Sequence, residues 1–134
     1  IHLYSIIERQ QKNVVAKNTQ SIEAMQQLKK QAVLMKEALL RNELDKIGDI
    51  LNLGWEYKRQ MAKGISTDLF EDVYKAALNA GARGGKISGA GGGGYIFFYC
   101  PDCVRYRVIE ALSNFGGKVR RFEFTKQGLQ TWQI

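Results

Sequence analysis

Five of the six residues from Gly89 to Gly94 are glycine, and the next five are Tyr95-Ile96-Phe97-Phe98-Tyr99. No helix survives a glycine run of that density, because each glycine costs roughly 1 kcal/mol relative to alanine inside one. The aromatic and β-branched run behind it is too short for a helix and reads as a central strand. Ahead of the glycines, Gly85-Lys86-Ile87-Ser88 is a second short extended segment. The chain is therefore committed to a strand–loop–strand unit in its second half, and everything else has to pack around it.

The first half is of a different kind. From Ile6 to Leu78 there is no proline, and the only glycines are Gly48, Gly54 and Gly64. Ile22, Met25, Leu28, Ala32, Met35 and Leu39 recur at steps of three and four, which predicts one helix over Thr19 to Leu40 with Thr19 or Ser21 as its cap. Asn42 is the expected cap of the next helix, where Leu44, Ile47, Leu51 and Trp55 form a stripe and Ile50, Leu53, Tyr57 and Met61 widen it. A first helix is expected near Tyr4 to Lys17, and Gly64 is expected to end the third. Ser66 or Thr67 then opens a fourth helix carrying Asp68, Glu71 and Asp72 in its first turns, where acids complement the helix dipole. Leu69, Val73, Ala76 and Ala80 are its expected buried face, and Gly81 its stop. After Pro101, which suits the first turn of a helix, Val104, Val108, Leu112 and Phe115 mark a fifth helix ended by Gly116-Gly117. The alternation Val119 to Lys126, with Phe122 and Phe124 on one side, predicts a half-buried closing strand. The whole chain, 1–134, reads as one α+β domain: 1–80 mainly helical, and 81–134 strand, glycine loop, strand, helix, strand.

Composition narrows the partners. Twenty basic against thirteen acidic residues give a net charge of +7. The excess is spread over both halves with no basic run beyond pairs such as Lys29-Lys30, so it favours anions in general. It selects nucleic acid no more than phosphorylated metabolites. No apolar run is long enough to span a bilayer, and the opening Ile1-His2-Leu3-Tyr4 has no signal-peptide pattern and no initiator methionine. Two cysteines do not make a disulfide scaffold, and the simplest compartment is the reducing cytoplasm.

Residues 84–94 read Gly-Gly-Lys-Ile-Ser-Gly-Ala-Gly-Gly-Gly-Gly. Side-chain-free residues let backbone approach a ligand closely, and successive N–H groups in a tight turn can form a nest for an anion. Lys86 and Ser88 add a charge and a hydroxyl. The P-loop pattern fails, because Gly85-Lys86 is followed by Ile87. Gly89, Gly91 and Gly94 satisfy G-x-G-x-x-G, yet a dinucleotide fingerprint opens a helix and this run opens a strand. The plain alternative is a tightly turned hairpin loop, for which one or two glycines suffice.

The segment Lys86 to Gly94, preceded by Ala80-Gly81-Ala82 and followed by a strand, resembles the third motif of the GHMP small-molecule kinases (galactokinase, homoserine kinase, mevalonate kinase and phosphomevalonate kinase). Gly64-Ile65-Ser66-Thr67 heading a helix also resembles the segment before that motif in the family's sugar kinases. With its long helices and the closing Phe122 to Trp132, the chain is most similar to those acting on D-glycero-D-manno-heptose 7-phosphate. The resemblance covers essentially the whole chain and only the family's C-terminal domain. It implies a ferredoxin-like domain with long N-terminal helices, and leaves open that its antiparallel sheet lacks one edge strand. It implies that Ser88, Gly89, Gly91, Gly92, Gly93 and Gly94 shape the nucleotide-binding wall, with Lys86, Ser66 and Thr67 in the vicinity of substrate or phosphate. ATP and Mg²⁺ are the implied cofactors of a longer parent, a sugar phosphate its implied substrate, and an N-terminal kinase domain the implied partner. That domain carries the family's phosphate loop and, in most members, the catalytic aspartate. Neither is found here, so the chain is expected to be a C-terminal fragment, inactive alone, with no catalytic residue or metal site of its own. A solvent-exposed cleft wall leads to the expectation of a homo-oligomer.

Two other classes stay in view. Cys100-Pro101-Asp102-Cys103 between a strand and a helix has the order of a thioredoxin-like redox site, and a helix N-terminus can activate a thiol. No βαβ unit precedes it, and two cysteines with the single His2 fall short of a zinc site, so incidental cysteines are the expectation. A small binding module is the third class. Its nucleic-acid form needs a sheet with exposed aromatics beside Arg105, Arg107, Arg120 and Arg121.

Overall fold

The computed structural model describes residues 2–16, 19–61, 67–88, 94–128 and 130–132. In chain order these form α1 (His2–Val15), α2 (Thr19–Leu40), α3 (Leu44–Met61), α4 (Asp68–Asn79), β1 (Gly84–Ser88), β2 (Tyr95–Tyr99) and α5 (Arg105–Leu112), which continues into a single 3₁₀ turn at Ser113–Phe115. The class is α+β: long helices first, then a small antiparallel sheet.

Helices α2 and α3 form a hairpin whose turn is built by asparagine. Asn42 has φ +56. Its N–H donates to the Leu39 carbonyl at 3.2 Å, and the Glu43 N–H donates to the Ala38 carbonyl at 2.9 Å. That pair of bonds closes the C-terminus of α2 with a left-handed residue. Asn42 is thus the stop of α2 and not the cap of α3, a role asparagine fills because it tolerates positive φ better than most residues. Gly81 repeats the device after α4, with φ +109 and the bonds Gly81 N–H to Leu78 and Ala82 N–H to Ala77. At the other end of α4, Thr67 is the N-cap, its hydroxyl accepting from the Phe70 N–H at 3.4 Å. The expected stop at Gly64 lies outside the described residues.

The buried faces are offset from the simple apolar stripes. On α2 the buried residues are Ser21, Ala24, Gln31 and Ala38, while Met25 and Leu39 are exposed. On α4 they are Tyr74 and Ala77, while Leu69 is exposed. Small side chains hold the seams because they let neighbouring backbones come close, and the larger apolar residues flank them. The tightest approach is between α3 and β1. A Cβ on Gly84 would overlap the Gly48 carbonyl oxygen, and one on Gly48 would strike the Arg83 side chain. Only hydrogen fits at that crossing.

β1 and β2 pair antiparallel, with Gly84 opposite Tyr99, Lys86 opposite Phe97 and Ser88 opposite Tyr95. Among the described residues these are the sheet's only strands. The closing strand expected over Val119 to Lys126 is not formed: those residues carry no ladder pairing and are exposed. The left-handed Gly116, φ +70, ends the 3₁₀ turn, and beyond it the Phe122 ring lies 6.4 Å from that of Phe97 and 5.7 Å from that of Phe124 between centroids. Pro101 also differs from its reading, standing in a turn four residues before α5 with its carbonyl accepting from the Val104 N–H.

Two clusters make the core. Ala24, Trp55, Tyr74 and Ile87 join α2, α3, α4 and β1, with Phe98 packed on them from β2. Trp55 stacks on Tyr74 at 5.8 Å between ring centroids, and Tyr74 meets Phe98 in a tilted pair at 5.5 Å. Such ring pairs add about 0.5–1.5 kcal/mol each beyond area burial. Ala77, Ala82 and Val108 hold α5 against the end of α4.

Candidate functional site: the glycine loop and its base

The loop's two ends are fixed by the sheet. Ser88 is the last residue of β1 and Tyr95 the first of β2, and they face each other as the final pair of the ladder. Ile87, fully buried, anchors the strand one residue before the loop. Gly94 closes the loop with φ +106, and a Cβ there would lie 3.3 Å from the Ser88 carbonyl oxygen. The positive φ, together with this close approach, disfavours a side chain at position 94. Gly89, Gly91, Gly92 and Gly93 lie outside the described residues.

A second clamp holds the base of the hairpin. The Tyr74 hydroxyl accepts from the Gly85 N–H at 3.0 Å and donates to Asn52 Oδ1 at 3.0 Å, with the Gly85 carbonyl 3.3 Å away. Burial pushes the Tyr74 hydroxyl above its ordinary pKa, which keeps it neutral and able to donate. On the outer side, Arg83 forks onto Asp49 through Nε at 2.8 Å and a terminal nitrogen at 3.0 Å, and reaches Asp45 at 3.1 Å. The hairpin is thus tied to α4 on one side and α3 on the other.

Of the residues singled out in the sequence, Ser88 and Gly94 are brought to the mouth of the loop and Ser88 is exposed there. Lys86 is on the same face of β1, two residues back, exposed and close enough to Lys58 for its charge to help lower that ammonium's pKa, the larger cause being burial of Lys58. The Thr67 hydroxyl is occupied by the cap of α4, and Ser66 lies outside the described residues. Glu71 pairs with Arg59 at 2.9 Å and Asp68 sits in the first turn of α4. No group of three His, Cys, Asp or Glu side chains that could hold a metal exists among the described residues. Cys100 and Cys103 are free, and burial pushes the Cys100 thiol up, away from the reactive thiolate. No described helix is long and apolar enough to cross a membrane.

Sequence reasoning missed Tyr74, Asn52 and Arg83, which set the hairpin's position without touching the loop. The signal for them was faint: Gly84-Gly85 ahead of Lys86 marks a strand that another backbone approaches closely.

The family described as GHMP kinases, C terminal, matches residues 35–118. The chain is 41% identical over 114 residues to the D-glycero-alpha-D-manno-heptose 7-phosphate kinase of Campylobacter jejuni, covering 85% of this chain and 34% of that protein. It is 44% identical over 91 residues to the mevalonate kinase of Methanothermobacter thermautotrophicus, covering 68% and 29%. With the mevalonate kinase of Pyrococcus furiosus it shares 30% identity over 115 residues, covering 84% and 34%. The chain spans about a third of the length of these relatives.

Proposed function

Because this chain belongs to the GHMP kinases as a C-terminal domain, we propose that it forms the glycine-rich wall of the phosphoryl-transfer site in a longer ATP-dependent kinase of cytoplasmic sugar metabolism. The observation that carries this reading is the segment Ser88 to Gly94, joining the ends of a clamped hairpin inside the matched residues 35–118. Phosphoryl transfer depends on positioning and on stabilising charge spread over the transferred group. A wall held by Ile87 and Tyr74 fixes position, and glycine N–H groups supply donors with no side chain in the way. Gly94 fits that role, since any larger residue would press on the Ser88 carbonyl.

ATP supplies the phosphoryl group when bound, and the Mg²⁺ that accompanies it is assigned to the N-terminal domain in this reading. What this chain contributes is the backbone of Gly89, Gly91, Gly92, Gly93 and Gly94 and the Ser88 hydroxyl, shaping the space beside the phosphates. Lys86, Ser66 and Thr67 are the candidates for its surroundings. A heptose phosphate is the proposed acceptor, supported by the 41% identity to a heptose 7-phosphate kinase over most of the chain.

The test is turnover by the whole parent protein with ATP, comparing D-glycero-D-manno-heptose 7-phosphate with mevalonate, beside the 134-residue chain alone. The expected result is phosphorylation of the heptose phosphate by the parent and none by the chain alone. Preference for mevalonate would overturn the substrate, and turnover by the purified chain would overturn the division of labour.

A further inference from the structure

Residues 116–128 are exposed without a break. From Gly117 to Lys126 no backbone group makes a backbone–backbone hydrogen bond among the described residues. The side chains of this stretch are nevertheless not those of a solvated linker. Val119 is 57% exposed, Phe122 63% and Phe124 96%, and the two rings meet at 5.7 Å. Phe122 also lies 6.4 Å from the ring of Phe97, the middle residue of β2. Tyr95 points to the same side of that strand as Phe97 and is 69% exposed. These aromatics form one face, and it begins beside Gly94 at the end of the glycine loop. Its surround is basic. Residues 118–126 hold Lys118, Arg120, Arg121 and Lys126 against the single acid Glu123. None of these four bases is ion-paired among the described residues, whereas Lys12, Arg41, Lys46, Arg59 and Arg83 all are. Exposed aromatics with arginine beside them are what protein interfaces enrich.

We propose that the face formed by Tyr95, Phe97, Phe122 and Phe124 is the docking surface for polypeptide outside residues 1–134 of the longer parent, and that the surface seated on it is apolar with a rim of carboxylates. The proposal rests on the reading of this chain as part of a longer protein. The chain covers 34% of the heptose 7-phosphate kinase it matches, so most of a protein of that length lies elsewhere and meets this domain through some face. Four unpaired bases around an apolar patch favour an acidic surround and repel a basic one. A second copy fits less well, because a two-fold contact sets the same bases against each other and confines self-association to high concentration. A nucleic-acid strand also fits less well. Phe122 and Phe124 stand at 80° to each other, which denies successive bases a pair of parallel stacking platforms.

Hydroxyl-radical footprinting tests this without altering the protein. Oxidation of Phe122 and Phe124 is compared by peptide mass spectrometry between the longer parent and the 134-residue chain, each at a dilution where light scattering finds a monomer. The expected result is several-fold slower oxidation of both rings in the parent. Equal rates would overturn the proposal. Protection that appears only as the parent is concentrated would also overturn it, giving the face to a second copy. Protection that appears only when a thymidine oligonucleotide is added would give the face to nucleic acid instead. The double variant Arg120→Glu, Arg121→Glu tests the charge. It should lower the parent's thermal midpoint and speed oxidation of the two rings there, while leaving the midpoint of the 134-residue chain unchanged. A parent midpoint that does not move would overturn the acidic rim. Turnover measured on the same preparations keeps the kinase reading apart. Protected rings without turnover would sink that reading and leave the docking surface standing, whereas turnover with unprotected rings would sink the docking surface alone.

Discussion

Tyr74 is the residue on which the hairpin's position most depends. Its ring lies between Trp55 and Phe98, and its hydroxyl joins Asn52 to the Gly85 backbone. Tyr74→Phe keeps the stacking and strands the Gly85 N–H, so it should cost about 1–3 kcal/mol in a urea melt. The same hydroxyl gives a pH signature. Burial raises its pKa above the ordinary 10.0, so the folded chain holds that proton more tightly than the unfolded one. Its contribution is complete below about pH 10 and is lost as pH climbs through the raised value. Thermal midpoints measured between pH 8 and 11 should fall less steeply at the top of that range for Tyr74→Phe than for the parent. Parallel slopes would show that Tyr74 is not the group being titrated. At this scale the sequence was readable where local chemistry is decisive. Thr67 before an acidic turn became the cap it resembled. Asn42 was not readable, because asparagine serves equally at a helix start and in a left-handed stop, and only the backbone bonds of Ala38 and Leu39 separate the two. Asn42→Ser separates them by experiment: serine caps as well as asparagine but resists positive φ, so a loss of about 1 kcal/mol is expected, and an unchanged midpoint would restore the cap.

At the scale of elements, the crossing of α3 and β1 carries the architecture. Gly84→Ala places a methyl group on the Gly48 carbonyl, which neither backbone can yield without moving the other. Such overpacking should cost about 3 kcal/mol or more, measured by denaturant midpoint, whereas Gly117→Ala, with open space around it, should cost far less. The existence and order of the helices and of β1 and β2 followed from periodicity, because each pattern is satisfied by neighbours nearby in sequence. The exact buried faces did not follow. On α2 and α4 the seams belong to Ala24, Ala38 and Ala77, and hydrophobicity alone ranks Met25, Leu39 and Leu69 above them. Val119 to Lys126 shows the same limit from the other direction. Its alternation is plain in the sequence, yet it makes no ladder bond, and β1 and β2 pair with each other alone among the described residues.

For the whole molecule, large aromatic side chains stand exposed near the C-terminal end of the chain. Phe122 is 63% exposed, Phe124 96% and Trp132 80%. Phe122 and Phe124 meet edge to face at 5.7 Å, and exposed aromatics clustered in this way mark an interaction face. We expect the chain alone to associate in concentrated solution and to become monomeric in the double variant Phe122→Ser, Phe124→Ser. Light scattering that finds a monomer at every concentration would remove that expectation. The family is legible in this chain because a glycine-rich turn between two strands is a rare pattern. The substrate is not legible, since in the proposed reading the choice among sugars and other acceptors is shared with a further domain of the longer parent.

The role proposed for the glycine loop is a contribution to phosphoryl transfer in the parent protein and not merely to a turn. It is tested most directly by Gly93→Val in that protein, with steady-state kinetics and a urea melt on the same preparation. Loss of a donor that acts only in the transition state lowers kcat and kcat/KM together, by roughly 10²–10³ at well-studied anion-stabilising sites. The expected result is a fall of that order with a denaturation midpoint close to the parent's. A variant with the parent's kcat/KM and the parent's stability would contradict it, leaving the loop as an ordinary hairpin connection.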